Sequence, residues 1–254
     1  MIPATSAPGR ARLAAWGFLA AVFLVNYLET AVEDRLQGKP VRERGYRVAA
    51  TFSEIESEII PEGLFAHHET SGAIAVYGYS VAYFFVFPLV ALGLAVALTC
   101  RREAWPLRVF ARALAIAYGV SLPFFLLFPI PERWAYPDSG AILLSDRWSS
   151  TLIEAMRPMS GLDNCFPSFH VSMSVVMVGV AYLAGVRFRN AVAALGLAVV
   201  MSTFGLGIHW LPDIVAGVAV GVLAVTLAVR LEARGRSGLT RRTEPAPGSA
   251  LTAA

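Results

Sequence analysis

The chain has 254 residues, of which 56% are hydrophobic and 15% are charged, and its formal net charge is +3. A soluble domain of this length has about 25% charged residues, so the composition argues against a soluble globular protein. The small net charge does not indicate a nucleic-acid partner. We therefore expect a protein whose surroundings are the lipid bilayer.

Long apolar segments follow one another along the chain, and each is almost free of charged residues. About 20 helical residues cross the roughly 30 Å hydrocarbon core of a membrane, and runs of this length are too long for strands. The sequence predicts an all-α integral membrane protein with six transmembrane helices. The predicted spans are Leu13–Leu28, Ala73–Thr99, Ala113–Ile130, Cys165–Val186, Asn190–Ile208 and Pro212–Val229.

The chain divides into four parts on this pattern. Residues 1–32 hold an N-terminal segment and the first helix, which we expect to be retained because no small-residue cleavage site follows it. Residues 33–71 form a long outer loop, and residues 73–229 form the main membrane domain. Residues 230–254 form a tail that is predicted to be disordered and cytoplasmic.

The outer loop contains an apolar pattern with helical spacing. Phe52, Ile55 and Ile59 recur among acidic residues that include Glu56. This pattern predicts an amphipathic helix on the outer surface. It either packs on the outer ends of the spans or covers a site there.

Arginines collect in alternate connections between the predicted spans. By the positive-inside rule these connections face the cytoplasm, so both termini are predicted to be cytoplasmic. The loops at 33–71 and 131–164 then lie on the outer face. The arginines are Arg10, Arg12, Arg101, Arg102, Arg108, Arg112, Arg187, Arg189, Arg230, Arg234, Arg236, Arg241 and Arg242.

Two of the four histidines, His170 and His209, fall at the outer ends of predicted spans. An ionisable group in a membrane segment is costly and is a functional candidate by default. Either histidine alone is also compatible with an interfacial or capping role. His67 and His68 lie in the outer loop without a partner pattern, and we expect them to be solvated or to serve packing.

Asp213 is placed to orient His209, because the two residues flank a predicted tight turn. A carboxylate that holds one imidazole nitrogen makes the other more nucleophilic. Two histidines and a carboxylate suit phosphoester chemistry, in which one histidine attacks phosphorus and the other acts as acid and base. The same residue types can bind zinc. We predict neither a metal nor a cofactor, because the chain has no His-x-x-x-His pair.

Candidate phosphate ligands lie near the predicted histidine pair. A transferring phosphoryl group needs cations and hydrogen-bond donors, and the N-terminus of a helix offers an anion site. The two arginines that lie beside tryptophans, Arg133 and Arg147, are also compatible with interface anchors. The predicted ligands are Arg133, Arg147, Arg157 and Ser168.

Four other residues are expected to serve packing. Cys100 and Cys165 fall at opposite faces of the bilayer, which is beyond the reach of a disulfide. Gly217 and Gly221 form a small-xxx-small face on the last span, which favours close contact between helices.

The residues around the histidines resemble those of a known family. Residues Pro167–His170 read P-S-F-H, and Ser202–Asp213 reads S-T-x5-H-x3-D. In this order they resemble motifs two and three of the type 2 phosphatidic acid phosphatase (PAP2) superfamily of membrane lipid phosphatases, whose pattern is K-x6-R-P, P-S-G-H and S-R-x5-H-x3-D. The resemblance covers about residues 73–229 and implies a PAP2-like bundle of six spans with an outward-facing site.

The chain also departs from this pattern. Phe169 stands for glycine in the second motif, Thr203 stands for arginine in the third, and Ser150 occupies the lysine position of the first. The stretch Asn164–Val171, which reads N-C-F-P-S-F-H-V, and the pair Ser202-Thr203 are more similar to the branch that contains inositol phosphorylceramide synthases and related bacterial proteins. Fewer cationic groups suit a phosphodiester, which has one negative charge, better than a phosphomonoester.

The resemblance implies a role for each residue. His209 is the nucleophile, His170 the acid and base, Asp213 the orienting residue, and Ser202 joins the phosphate-binding set. The expected enzyme is a lipid phosphatase or phosphotransferase of a bacterial plasma membrane, with its site on the extracytoplasmic face and membrane lipids as substrates. We favour transfer of a phospho-headgroup. The alternatives are simple hydrolysis of phosphatidic acid or polyprenyl phosphate, and a non-catalytic relative. No oligomeric state is predicted.

Overall fold

The computed structural model describes residues 8–60, 72–147, 151 and 163–243. Within these ranges it contains helices and short 3-10 turns and no β-strand. The predicted all-α class is therefore confirmed. In chain order the helices are α1 (Pro8–Leu36), α2 (Lys39–Ile59), α3 (Gly72–Val81), α4 (Phe87–Thr99), α5 (Trp105–Leu127), α6 (Phe169–Leu183), α7 (Arg189–Gly205) and α8 (Leu211–Thr243).

Four helical stretches in the described chain are long and apolar enough to cross a membrane. Helices α6 and α7 are also apolar but have only 15 and 17 residues. At 1.5 Å per residue they are about 22 and 25 Å long, which is less than the usual hydrocarbon thickness. Length and composition therefore support four of the six predicted spans. The four stretches are Gly9–Glu33, Ile74–Thr99, Trp105–Leu127 and Leu211–Gly235.

Helices α3 and α4 form one continuous rod, joined by a π-helical turn at Ala82–Val86. Pro88 in the first turn of α4 has no N–H to donate to the preceding turn, which is compatible with the wider π geometry. The turn carries Tyr83 and Phe84 on its buried side. It therefore brings aromatic rings into the middle of the bundle.

Helices α6 and α8 are in close contact through two glycines of α8. A Cβ atom at Gly217 would lie 2.7 Å from the carbonyl oxygen of Ser168, and one at Gly221 would lie 2.8 Å from that of Ser172. Any larger residue would force the helices apart. This close packing, which the small-residue pattern predicted, brings the first turns of α6 and α8 together.

Helix α2 presents a different face to the bundle from the one that the sequence predicted. Ile55 and Ile59 are 43% and 62% exposed, whereas Glu56 is only 1% exposed. Gly45 explains the orientation, because a Cβ there would lie 1.7 Å from the carbonyl oxygen of Pro129. The predicted apolar face is therefore correct for Phe52, whose ring packs against Phe166 and Trp210, and wrong for the two isoleucines. A close backbone approach at Gly45 and the buried carboxylate of Glu56 set the rotation of α2 instead.

The chain remains helical beyond the last predicted span. Helix α8 continues to Thr243, although disorder was predicted from residue 230. Glu232 accounts for part of this extension, because its carboxylate lies 2.7 Å from Nη1 of Arg112 and also pairs with Arg108. These two arginines belong to α5, so the ion pairs hold the end of α8 against the bundle.

Candidate active site

His209 lies in the turn between α7 and α8 and not on a helix face. Helix α7 ends at Gly205, and Gly207 has a φ of 72°, in the left-handed region that favours glycine. The carbonyl of Thr203 accepts the N–H of His209 at 3.1 Å. The predicted span Asn190–Ile208 is therefore helical only as far as Gly205, and this turn sets the position of the imidazole.

Asp213 lies in the first turn of α8, beside His209. Its Oδ2 accepts the N–H of Trp210 at 2.9 Å and lies 3.4 Å from Nδ1 of His209. A carboxylate that accepts the N–H of the residue before the helix is half of a capping box. Asp213 is fully buried, so the start of α8 fixes the carboxylate against the imidazole.

Cys165 also lies in this group, although the sequence predicted a packing role. Its Sγ lies 3.0 Å from Nδ1 of His209 and 2.9 Å from Oδ2 of Asp213. The thiol therefore contacts both members of the predicted pair. A signal was available in the sequence, since Cys165 comes just before the Pro167–His170 motif.

His170 lies in the first turn of α6 and faces His209. The centroids of the two imidazole rings are 6.0 Å apart. The His170 ring also packs against Tyr83 and Phe87, at centroid distances of 4.5 and 4.8 Å. No motif identified these aromatic rings in advance. The structure thus brings together the two histidines that the sequence singled out.

Both histidines line a cavity of about 480 Å³ between α1, α4, α5 and α6. Its walls on the helices are mostly apolar and include Leu19, Phe23, Phe87, Leu92, Leu114 and Met173. Four polar lining groups come from the loops, and Asn26 adds one from α1; of the loop groups, Cys165 contacts His209 directly. The four are Glu132, Ser145, Asn164 and Cys165. From Tyr83 to Ala95 the lining follows one rod for about 18 Å, at 1.5 Å per residue. The space is therefore long and mostly apolar, and the two histidines lie in its wall with Cys165 beside them.

Comparison with known proteins agrees with this geometry. A family model of the PAP2 superfamily matches residues 52–227, which include His170, His209 and Asp213. The chain belongs to the PAP2 superfamily. Membership supports a phosphatase-type phosphoester hydrolase and confirms the predicted superfamily, whereas the branch stays a prediction. No curated protein and no solved structure matches the chain.

The predicted arginine ligands of this PAP2 protein fall in different surroundings. Nε of Arg133 forms a buried ion pair with Oε2 of Glu56 at 2.7 Å, and its guanidinium lies over the Trp210 ring at 5.8 Å. Arg133 is therefore held beside the His209 turn by a carboxylate. Arg147 ends a 3-10 turn, but its side chain lies outside the described part of the chain, as does all of Arg157.

The two predicted serine ligands have helix partners. Oγ of Ser168 accepts the N–H of Val171 at 3.3 Å and caps α6, while the N–H of Ser168 donates to the carbonyl of Asp213 at 3.2 Å. Oγ of Ser202 donates to the carbonyl of Val199 at 2.6 Å. Both serines are fully buried. In this structure they stabilise the helix ends that position the histidines.

Glu56 is a second residue that sequence reasoning missed. It was placed on the polar face of α2, but its carboxylate accepts the N–H of Leu211 at the start of α8 and pairs with Arg133. Burial raises the pKa of Glu56, and the hydrogen bond from Leu211 and the charge of Arg133 oppose this shift. The backbone N–H of Arg133 in turn donates to the carbonyl of Ile208 at 2.9 Å. Glu56 therefore connects α2 to both sides of the His209 turn.

One group in the described part of the chain could hold a metal ion, because its ligand atoms lie within 4.8 Å of one another. Its members are Cys165, His209 and Asp213. Bonds of about 2.0–2.3 Å to a tetrahedral zinc would separate the ligand atoms by about 3.5 Å. The two contacts of Sγ are 2.9 and 3.0 Å, shorter than the separation of two ligands on one tetrahedral zinc. The geometry therefore favours a hydrogen-bonded group.

Proposed function

We propose that this PAP2 protein transfers a phospho-headgroup from a membrane lipid to an acceptor hydroxyl through a phospho-histidine on His209. The observation that carries the proposal is the pair of facing imidazoles at the polar part of an apolar cavity. A carboxylate and a thiol hold Nδ1 of His209, so its Nε2 is the nitrogen available to attack.

The reaction takes two balanced steps. First, Nε2 of His209 attacks phosphorus, the bond from phosphorus to the lipid oxygen breaks, and protonated His170 gives its proton to that oxygen. Second, neutral His170 takes a proton from the acceptor hydroxyl, whose oxygen attacks phosphorus and releases His209. With a lipid alcohol as acceptor the outcome is transfer, and with water it is hydrolysis.

The cavity supports a lipid as the substrate. Apolar side chains of α1, α4, α5 and α6 line it, and two of them, Phe23 and Leu92, are 54% and 56% exposed. These exposed side chains mark an edge where the cavity meets the surrounding hydrocarbon. We infer that an acyl chain enters at this edge and lies along the cavity, with its phosphate between the two histidines.

A phosphodiester is the favoured substrate class. Thr203, which stands for the arginine of the PAP2 pattern, is fully buried, and its Oγ1 donates to the carbonyl of Val200 at 2.8 Å. The positive charge of Arg133 is balanced by the carboxylate of Glu56, so a second cation is already paired within the protein. A single negative charge needs fewer cations than the two of a monoester. The alternative is simple hydrolysis of a lipid monoester, which membership in the superfamily favours.

A lipid panel tests the proposal. Purified protein in EDTA is incubated with phosphatidic acid, polyprenyl phosphate and headgroup-bearing phospholipids, with and without a lipid alcohol. We expect the headgroup of a diester to appear on the alcohol and little release of inorganic phosphate from monoesters. Preference for monoesters would instead identify a lipid phosphatase. An absolute need for added zinc or magnesium would contradict the metal-free mechanism.

We further propose six spans, with α6 and α7 as short ones, cytoplasmic termini and an extracytoplasmic site. Arg12, which donates to the carbonyl of Arg101, and the Glu232 ion pairs mark one end of the bundle, while both histidines lie at the other. In a Cys100→Ser background, Asp138→Cys should react with an impermeant maleimide in intact cells, and Asn190→Cys should react only after lysis. The opposite labelling would invert the proposed orientation.

A further inference from the structure

Cys165 is held in place by the backbone rather than left free in a loop. Its N–H donates to the carbonyl of Ile130 at 3.2 Å, and its side chain is 2% exposed. It lies between the loop after α5 and the start of α6. The thiol therefore has one defined position, in contact with both His209 and Asp213.

The thiol is closer to both partners than they are to each other. Nδ1 of His209 and Oδ2 of Asp213 are 3.4 Å apart, beyond the usual 2.7–3.2 Å of an N–H···O hydrogen bond. Sγ of Cys165 lies 3.0 Å from the nitrogen and 2.9 Å from the oxygen. The thiol is therefore in direct contact with both groups, whereas the imidazole and the carboxylate lie at the edge of hydrogen-bond distance from each other.

We propose that Cys165 is a positioning residue, whose thiol connects the carboxylate of Asp213 to Nδ1 of the His209 imidazole. Its S–H donates to Oδ2 of Asp213, and its sulfur accepts the N–H at Nδ1 of His209. This fixes the imidazole tautomer in which Nε2 is unprotonated. The proposal rests on the proposed role of His209 and adds a residue that the PAP2 motif pattern does not contain.

The surroundings support a neutral thiol in this role. Cys165 is buried and its Sγ lies 2.9 Å from the Asp213 carboxylate, surroundings that disfavour a thiolate. A buried thiol beside a carboxylate is a poor nucleophile, so Cys165 does not compete with His209 for phosphorus. Oδ2 of Asp213 thus receives two donors, the S–H and the N–H of Trp210.

Three variants test the inference by kinetics. Cys165→Ala should lower kcat about tenfold to a hundredfold with little change in KM, because one hydrogen-bonded connection is lost. Cys165→Ser keeps a donor and an acceptor and should restore most of the rate. Cys100→Ser, at an exposed position, is the matched control and should be neutral. Full activity in Cys165→Ala, or equal loss in the alanine and serine variants, would overturn the proposal.

A second readout does not depend on turnover. Nitrogen-15 NMR of histidine-labelled protein, with His209 assigned from a His209→Asn variant, should show one tautomer in the wild type and a mixture in Cys165→Ala. The wild-type and Cys165→Ala samples contain the same other ionisable groups in the cavity, His170 and Glu132, so a difference in tautomer would report the loss of the thiol. An unaltered tautomer would contradict the role of Cys165. A changed tautomer in a protein that forms no phospho-histidine would contradict only the proposed function.

Discussion

Replacing His209 with alanine is expected to lower turnover by at least about a thousandfold, since loss of a nucleophile removes the covalent route. His170→Ala should lower it by about a hundredfold to ten-thousandfold, the usual contribution of an acid and base. Both imidazoles line the same cavity. Their removal should therefore lower activity by removing reacting groups, without a change in the fold. The measurement is the rate of headgroup transfer or phosphate release in detergent or liposomes.

The chain provides its own control for these variants. His68 lies outside the described residues, in the segment between α2 and α3 and about 100 residues before the first histidine motif. His68→Ala should retain nearly full activity. Thermal unfolding and gel filtration would show that each variant is folded. More than a few per cent of wild-type activity in a well-folded His209→Ala protein would rule out His209 as the nucleophile.

Replacing Glu56 with alanine is expected to destabilise the protein by about 3 kcal/mol or more, because it leaves the buried charge of Arg133 without its carboxylate. Glu56 and Arg133 are only 1% and 6% exposed. The change also removes the acceptor for the N–H of Leu211 at the start of α8. Activity should fall as well, since this turn positions His209. Thermal unfolding, together with the assay above, measures both effects.

Two further variants separate the ion pair from general damage to α2. Glu58 is exposed on the same helix, and Glu58→Ala should change stability little. Arg133→Met combined with Glu56→Ala should recover part of the lost stability, because the unpaired buried charge is then absent. A Glu56→Ala protein as stable as Glu58→Ala would show that the ion pair does not hold α2 in place.

The sequence was most informative where residues close in the chain are also close in space. His209 and Asp213 flank one predicted turn, so their spacing in the sequence predicted their contact in space. His170 could be added because the predicted topology places both histidines at the same membrane face. The long apolar segments predicted the helical class for the same reason, since hydrophobicity over about 20 residues is a local property.

The missed features depend on contacts between distant segments. Cys165 meets His209 across 44 positions, and Glu56 meets Leu211 across 155. Periodicity reports only which side of a helix is apolar, so it assigned Glu56 to the polar side. A buried partner, Arg133, overrides that preference. Likewise, the serine hydroxyls matched a phosphate-binding pattern, but their hydrogen bonds go to helix ends.

The central claim, a covalent phospho-histidine at His209, can be measured directly. Wild-type protein is mixed with a lipid that carries phosphorus-32 in its headgroup phosphate, quenched in alkali without added acceptor, and digested for mass spectrometry. We expect an acid-labile, alkali-stable label on the peptide that contains His209, and none in His209→Ala. Label on His170 or Cys165, or turnover with no labelled peptide at all, would contradict the account.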